Sequence, residues 1–198
     1  RKMLEGHKII LLYFDLHPNE ALENYMADYA AFLEKHGETP VTCRRLDTLE
    51  DLLREADLVS LQTVLVESTK NLINADRLAA MKDNAILVNS SRGPIIDEKA
   101  LVAHCQTHPD FRVGLDVFEE EPAMAPGLAD LDNAVIVPHI ASATVWTREG
   151  MASLAAANVA GILLGHPVWT GEDVLDFLEG TPPAAAPSIV NAADLQLS

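Results

Sequence analysis

Cysteine is nearly missing from this sequence. There are two in 198 residues, Cys43 and Cys105, far apart and without metal-ligand spacing. Neither a disulfide framework nor a zinc site is therefore expected, and both read as reduced structural thiols. Basic residues are scarce as well: 14 Lys and Arg stand against 30 Asp and Glu, a formal net charge of −16. No cationic surplus exists to replace released counterions, which argues against a nucleic acid or an anionic membrane as partner. No apolar run approaches the roughly 20 residues that cross a bilayer. Repeats and low-complexity tracts are missing too. The opening Arg1-Lys2-Met3-Leu4-Glu5-Gly6 is too short and polar for a secretion signal, and reads as the last turn of a helix ended by Gly6. Asn89-Ser90-Ser91 fits the glycosylation pattern, but it follows an apolar strand-like run, a poor place for a sugar.

What is present is an apolar fraction of 48%, enough for a real core. Short apolar runs alternate with amphipathic stretches. Strands are expected at 9–14, 41–44, 57–61, 85–88, 111–117 and 134–137. Leu22, Tyr25, Met26, Tyr29 and Leu33 repeat at helical spacing and stop at Gly37. Asp47 and Glu50 make a capping-box pattern before Leu52 and Leu53. Further helices are expected at 75–81, from an Asp97 cap through Cys105, and at 144–164, where Met151, Leu154, Ala155, Val159, Ile162 and Leu163 share one face. Beyond Gly165 the Pro, Ala and Gly content predicts coil docked on something else. Strands without period-two alternation, separated by helices, imply a parallel sheet covered on both faces. The fold class is α/β, a doubly wound parallel sheet whose ligand sits beyond the carboxyl ends of the strands. Its customary first strand and Gly-x-Gly-x-x-Gly turn are not found in the sequence.

Four places hold candidate chemistry. Asp15 ends an apolar strand, where an acidic residue of a dinucleotide fold accepts hydrogen bonds from ribose hydroxyls and repels the extra phosphate of NADP; alone it would pass for a turn aspartate. Arg92 follows the strand at 85–88, where a buried guanidinium could grip a carboxylate in two-pronged fashion; a surface arginine is the plainer alternative. Gly93 beside it would allow backbone to approach a ligand closely. Asp116 ends the strand at 111–117 and could accept from a carboxamide, whereas Glu119 and Glu120 of the acidic run read as solvated. His139 opens a loop of small residues after the last strand, where a lone histidine is more often structural.

Taken together, Ile86-Leu87-Val88-Asn89-Ser90-Ser91-Arg92-Gly93, Gly114-Leu115-Asp116-Val117-Phe118-Glu119-Glu120-Glu121-Pro122 and Pro138-His139-Ile140-Ala141-Ser142 resemble the D-isomer-specific 2-hydroxyacid dehydrogenase family, in the family's order. The segment from Leu16 to Arg45, Trp146-Thr147-Arg148-Glu149-Gly150-Met151 and Pro187-Ser188-Ile189-Val190-Asn191 look like its plant-type hydroxypyruvate-reducing branch. The resemblance implies catalytic Arg92, Glu121 and His139, the last two an acid–base pair. It implies NAD as cofactor, met by Asp15, the Ser90 carbonyl, Asp116 and Ser142, with Thr63 and Val64 on a loop that flanks the adenine. There the sequence has Gln62-Thr63-Val64 where the family often has His-x-Pro. No metal is implied.

On this reading 1–143 is part of a nucleotide-binding domain, and 144–198 is a crossover helix and a tail returning to the substrate domain. The implied reaction is NADH-dependent reduction of hydroxypyruvate to D-glycerate, and of glyoxylate to glycolate. A small 2-keto or 2-hydroxy acid is the expected partner, with neither nucleic acid nor membrane, and a homodimer is expected through the nucleotide-binding domain. An organellar setting, peroxisomal or mitochondrial, is expected, although Gln196-Leu197-Ser198 is not a Ser-Lys-Leu address. Glu121 speaks against the Gln–His arrangement of formate dehydrogenases. Two alternatives stand beside this one: a nucleotide-sensing corepressor-like scaffold, and a piece inert by itself because it binds NAD poorly without a phosphate loop.

Overall fold

The structure is a computed structural model, and it describes residues 9–169 and 174–189. The helix end expected at Gly6 and the terminal residues weighed as an address lie outside the described residues. The chain divides into two compact units, Arg1–Pro138 and His139–Ser198.

In the first unit, strands and helices alternate: β1 (Ile10–Tyr13), α1 (Glu20–Lys35), β2 (Thr42–Arg45), α2 (Leu49–Glu55), β3 (Leu58–Leu61), α3 (Ala75–Ala80), β4 (Ile86–Asn89), α4 (Glu98–Thr107), β5 (Arg112–Leu115) and β6 (Ala134–Ile136). Every strand pairing is parallel. The strands do not make one continuous sheet, however. β1 pairs with β2, and β3-β4-β5-β6 form a second sheet in that order. In a doubly wound sheet of order 3-2-1-4-5-6, the central first strand separates a pair from a run of three; here the run has four strands. With no strand of the described residues between them, each flank is a sheet of its own.

Local chemistry explains the helix starts. Asn19 accepts the Leu22 N–H to open α1, Asn74 accepts the Arg77 N–H to open α3, and Asp97 accepts the Ala100 N–H to open α4. Helix α1 runs into Gly37, whose φ of 76° is the left-handed turn that glycine takes without strain. Helix α2 corrects the sequence reading. Thr48, not Asp47, is its cap and accepts the Asp51 N–H. Glu50 is used elsewhere, because Arg77 grips it through Nε and Nη2 at 2.9 and 2.8 Å. Starting one residue later also turns Leu49, Leu52 and Leu53 inward together.

The core lies between the four-stranded sheet and helices α2, α3 and α4. Leu53, Ile73, Leu78, Leu87, Ile95, Leu101, Phe111 and Leu128 are fully buried there. Each such side chain contributes roughly 1.5–3 kcal/mol through area removed from water. Cys105 belongs to this core, and burial pushes its thiol up to about 11, as fits an inert structural residue. Cys43 is free as well.

The second unit is built on α5 (Val145–Leu163), opened by Thr144, which accepts the Thr147 N–H. Its buried positions are two glycines. Gly150 faces Leu178, and a Cβ on Gly161 would lie 2.9 Å from the Ala186 Cα. The Pro- and Ala-rich tail therefore docks on α5 itself. Val168 bridges Ala186, Trp169 donates to the Ala186 carbonyl at 2.7 Å, and Trp169 meets Phe177 edge-on. The apolar face expected along this helix is not the one that packs here: Met151, Val159, Ile162 and Leu163 are exposed.

Candidate active site

Parallel register brings the carboxyl ends of the long sheet level: Leu61 stands beside Asn89, Asn89 beside Leu115, and Leu115 beside Ile136. Loops leaving those ends carry most of the candidate residues.

After β4, Asn89 is 1% exposed and its amide organises the loop. Oδ1 accepts the Ser91 N–H at 3.1 Å and the Ser91 hydroxyl at 2.8 Å, while Nδ2 donates to the Arg92 carbonyl at 2.9 Å. Its backbone carbonyl accepts the Asp116 N–H at 3.0 Å, which joins this loop to β5. Asn89, which in sequence opens both a glycosylation pattern and the Arg92 motif, has a side chain used at both ends and is a brace. Arg92 is exposed, not buried as expected of a gripping guanidinium, and its Nη1 donates to the Ser91 carbonyl at 2.6 Å. Ser90 is exposed beside it.

Gly93 is used differently from expectation. A Cβ there would lie 1.8 Å from the Phe118 carbonyl oxygen and 2.5 Å from the Glu119 nitrogen. The close approach it permits is to the neighbouring loop, not to a ligand. Consequently the Arg92 loop and the loop after β5 are packed backbone to backbone.

That second loop starts at Asp116, 5% exposed, and carries Glu121, which is exposed and joined to Pro122 by a cis peptide bond. Glu121 Oε1 accepts the Phe118 N–H at 3.2 Å. Arg92 and Glu121 thus stand on adjoining loops of one unit. A residue missed in the sequence, Glu98, ties the second loop to α4: it accepts the Glu119 and Ala125 N–H groups at 2.5 and 3.0 Å. The signal was a carboxylate one place after a competent Asp97 cap, hence not needed for capping.

Asp15 is exposed beyond β1, with Oδ1 accepting the His17 N–H at 3.2 Å. Arg45, ending β2, donates to the Asp15 and Leu16 carbonyls at 2.9 and 3.4 Å, so the neighbouring strand fixes this turn. Tyr13 braces it from within, accepting the Asn19 N–H at 2.9 Å and donating to Glu23 at 2.5 Å. Burial first, and then that bond to Glu23, holds the Tyr13 hydroxyl above its ordinary value. Beyond β3, Thr63 is half-buried and Val64 exposed, and the Val64 carbonyl accepts the Thr69 hydroxyl at 2.7 Å.

His139 opens the second unit, three residues beyond the end of β6 in sequence. It is exposed, and its φ of 52° is a left-handed conformation that non-glycine residues seldom take. Strain of this kind gathers where function holds a residue in place. In the same turn the Ile140 carbonyl accepts the Ala143 N–H at 2.9 Å, and Ser142 is exposed.

Residues 18–141 match the model of the D-isomer specific 2-hydroxyacid dehydrogenase NAD binding domain. The chain belongs to that family. A peroxisomal glycerate dehydrogenase of Arabidopsis thaliana is 56% identical over 200 residues, covering 100% of this chain and 52% of its own length. A glyoxylate reductase of Pyrococcus horikoshii is 49% identical over 118 residues, 60% of this chain and 35% of its own. Among solved structures, an NADPH-dependent glyoxylate/hydroxypyruvate reductase from Sinorhizobium meliloti, in complex with NADP and malonate, is similar with TM-score 0.68 and 30% identity, over 83% of this chain and 46% of that one. The chain spans about half the length of the curated relatives it matches.

Polar groups stand at two strand ends: the exposed Asp15 carboxylate beyond β1, and the buried Asp116 beyond β5 with the exposed Ser90 in the loop after β4. No group of three or more His, Cys, Asp or Glu that could hold a metal ion occurs among the described residues. Nor is any helix among them long and apolar enough to cross a membrane.

Proposed function

We propose that this chain forms the catalytic nucleotide-binding half of an NADH-dependent reductase that converts hydroxypyruvate to D-glycerate and glyoxylate to glycolate. The observation that carries the reading is the pairing of loops across Gly93 and Phe118, which sets Arg92 and Glu121 on adjoining loops at the sheet's carboxyl edge. The resemblance of the whole chain to a plant glycerate dehydrogenase supports the choice of substrate.

Reduction of a 2-keto acid needs a hydride at C2 and a proton on the carbonyl oxygen. NADH, when bound, supplies the hydride. Asp15 would hold the ribose hydroxyls, Thr63 and Val64 would lie by the adenine, and Ser90, Asp116 and Ser142 would hold the carboxamide end. Arg92 pairs with the substrate carboxylate and stabilises charge growing on the carbonyl oxygen. His139, protonated, gives that oxygen its proton, and takes it back in the reverse direction. Glu121 orients the imidazole. A homodimer and an organellar compartment, peroxisomal or mitochondrial, belong to the same proposal.

The test is His139→Ala in the complete polypeptide. Loss of the general acid should lower hydroxypyruvate turnover by ~10²-fold to 10⁴-fold while NADH still binds, read by quenching of protein fluorescence. Turnover near that of the parent protein would remove His139 from the mechanism.

A further inference from the structure

Glu98 is the first residue of α4 and only 3% exposed. Helix capping does not explain it, because Asp97 already accepts the Ala100 N–H at 3.0 Å. Its carboxylate faces the loop after β5 instead. One oxygen accepts the Glu119 N–H at 2.5 Å, and the other accepts the Ala125 N–H at 3.0 Å. In return the Glu98 N–H donates to the Glu119 carboxylate at 3.4 Å. These two amides bracket Glu120 to Met124, the stretch that carries Glu121. A single buried carboxylate therefore closes the loop at both ends, from a helix anchored in the core by Leu101 and Cys105.

We infer that Glu98 is a positioning residue: it holds the Glu119–Ala125 loop so that the Glu121 carboxylate keeps a fixed place. Other arrangements would bury Glu98 at a cost with no return, since a carboxylate out of water must have its acceptors filled. Both partners of the Glu98 oxygens are main-chain N–H groups, so these two bonds depend on the oxygens of residue 98, beside the longer bond to the Glu119 carboxylate. Only an acceptor at both tips satisfies them. Glutamine matches the shape yet turns an NH2 group toward one of the two N–H donors. Aspartate keeps both acceptors but is one methylene too short to reach as far.

The inference rests on the proposed role of Glu121, and the experiment separates the two. Glu98→Gln, Glu98→Asp, Glu121→Gln and the Glu98→Gln/Glu121→Gln double variant are made in the complete polypeptide. Hydroxypyruvate reduction by NADH is followed from pH 5 to 9. If Glu121 and His139 act as the proposed pair, Glu121→Gln should lower the upper pH limit of kcat/KM. Glu98→Gln should move that limit in the same direction and cut kcat by ~10-fold to 100-fold, with the KM for NADH unchanged. Glu98→Asp should fall between it and the parent, and carries the same measurement if the Gln variant does not fold. The double variant should be no slower than Glu121→Gln alone, because the two residues act through one loop. A Glu98 variant that melts earlier but keeps the parent pH limit, or a double variant whose losses simply multiply, overturns the inference and leaves the proposed function standing. An unmoved limit in Glu121→Gln overturns the Glu121–His139 pairing, and the inference with it.

Discussion

Gly93→Ala is the most demanding perturbation that the structure suggests, because a single methyl group meets only backbone. The added Cβ would lie 1.8 Å from the Phe118 carbonyl oxygen, 1.9 Å from its carbon and 2.5 Å from the Glu119 nitrogen. A flexible side chain could swing aside; these atoms cannot. Restoring ordinary contact near 3.4 Å means parting the two loops by roughly 1.6 Å. Asn89 ties one loop down and Glu98 the other, so part of that movement would break their hydrogen bonds. Overpacking of this kind costs about 1–3 kcal/mol, or a fall in melting temperature of roughly 2–12 °C for a domain of 150–250 residues. Catalysis should suffer more than stability. A displacement of about 1 Å between groups that must act together can cost ~10²-fold in rate.

The assay pairs a thermal melt with steady-state hydroxypyruvate reduction, both on the complete polypeptide. Gly114→Ala is the control, since a Cβ in β5 would find only the two Val88 methyls, at 3.7 and 3.9 Å, ordinary contacts. That variant should stay within about 1 kcal/mol of the parent. Gly93→Ala with parent-like melting and turnover would refute the close approach, and with it the argument that these loops are positioned by one another.

Two other perturbations test different parts of the molecule. Asp15→Ala should weaken NADH by roughly 1.5–3 kcal/mol, the worth of hydrogen bonds to a charged group, and should erode any preference over NADPH. Competition binding of the two cofactors reads this directly, and an unaltered ratio would place selectivity elsewhere. His104 lies below its ordinary value of 6.5, first through burial and then through the stacked His108, with Asp83 opposing. Its native form resists protonation while the unfolded form does not, so stability should be full above pH 6.5 and decline as pH falls below it. Urea midpoints between pH 7.5 and 5.5 should show a shallower decline in His104→Gln; an unchanged slope would mean that other groups carry it.

Periodicity made most elements legible. The strand and helix positions follow from runs such as Ile86-Leu87-Val88 and from stops such as Gly37, because burial and turn geometry act on residues close in sequence. Cap choice was less legible. Asp47 and Thr48 both precede Leu49; Thr48 caps together with Asp51, whose N–H its hydroxyl accepts and whose carboxylate that hydroxyl bonds, while Glu50 goes to Arg77, a partner 27 residues away. The break between the two sheets follows from the first strand that the sequence was read to lack, since that strand is central in a doubly wound order. For α5 the periodic apolar residues predicted a packing face, yet the described tail packs on the glycine face at Gly150 and Gly161, where small size admits close approach.

The candidate site divides along the same line. Arg92, Glu121, His139 and Asp15 are exposed, Asp116 is not, and all five could be picked out as candidates from residue type and strand-end position. The residues that hold the Arg92 and Glu121 loops are buried: Asn89 at 1%, Glu98 at 3%, and Gly93 pressed against the next loop. Their sequence contexts look ordinary, an Asn after a strand, a Glu opening a helix, a Gly before a Pro. Each acts through backbone amides and carbonyls, and such partners have no residue type to betray them. A buried polar side chain must find its hydrogen bonds somewhere. At the carboxyl edge of this sheet, Asn89 and Glu98 find theirs in the two loops that carry Arg92 and Glu121, so the cost of burying them is met by the order they impose on the loops.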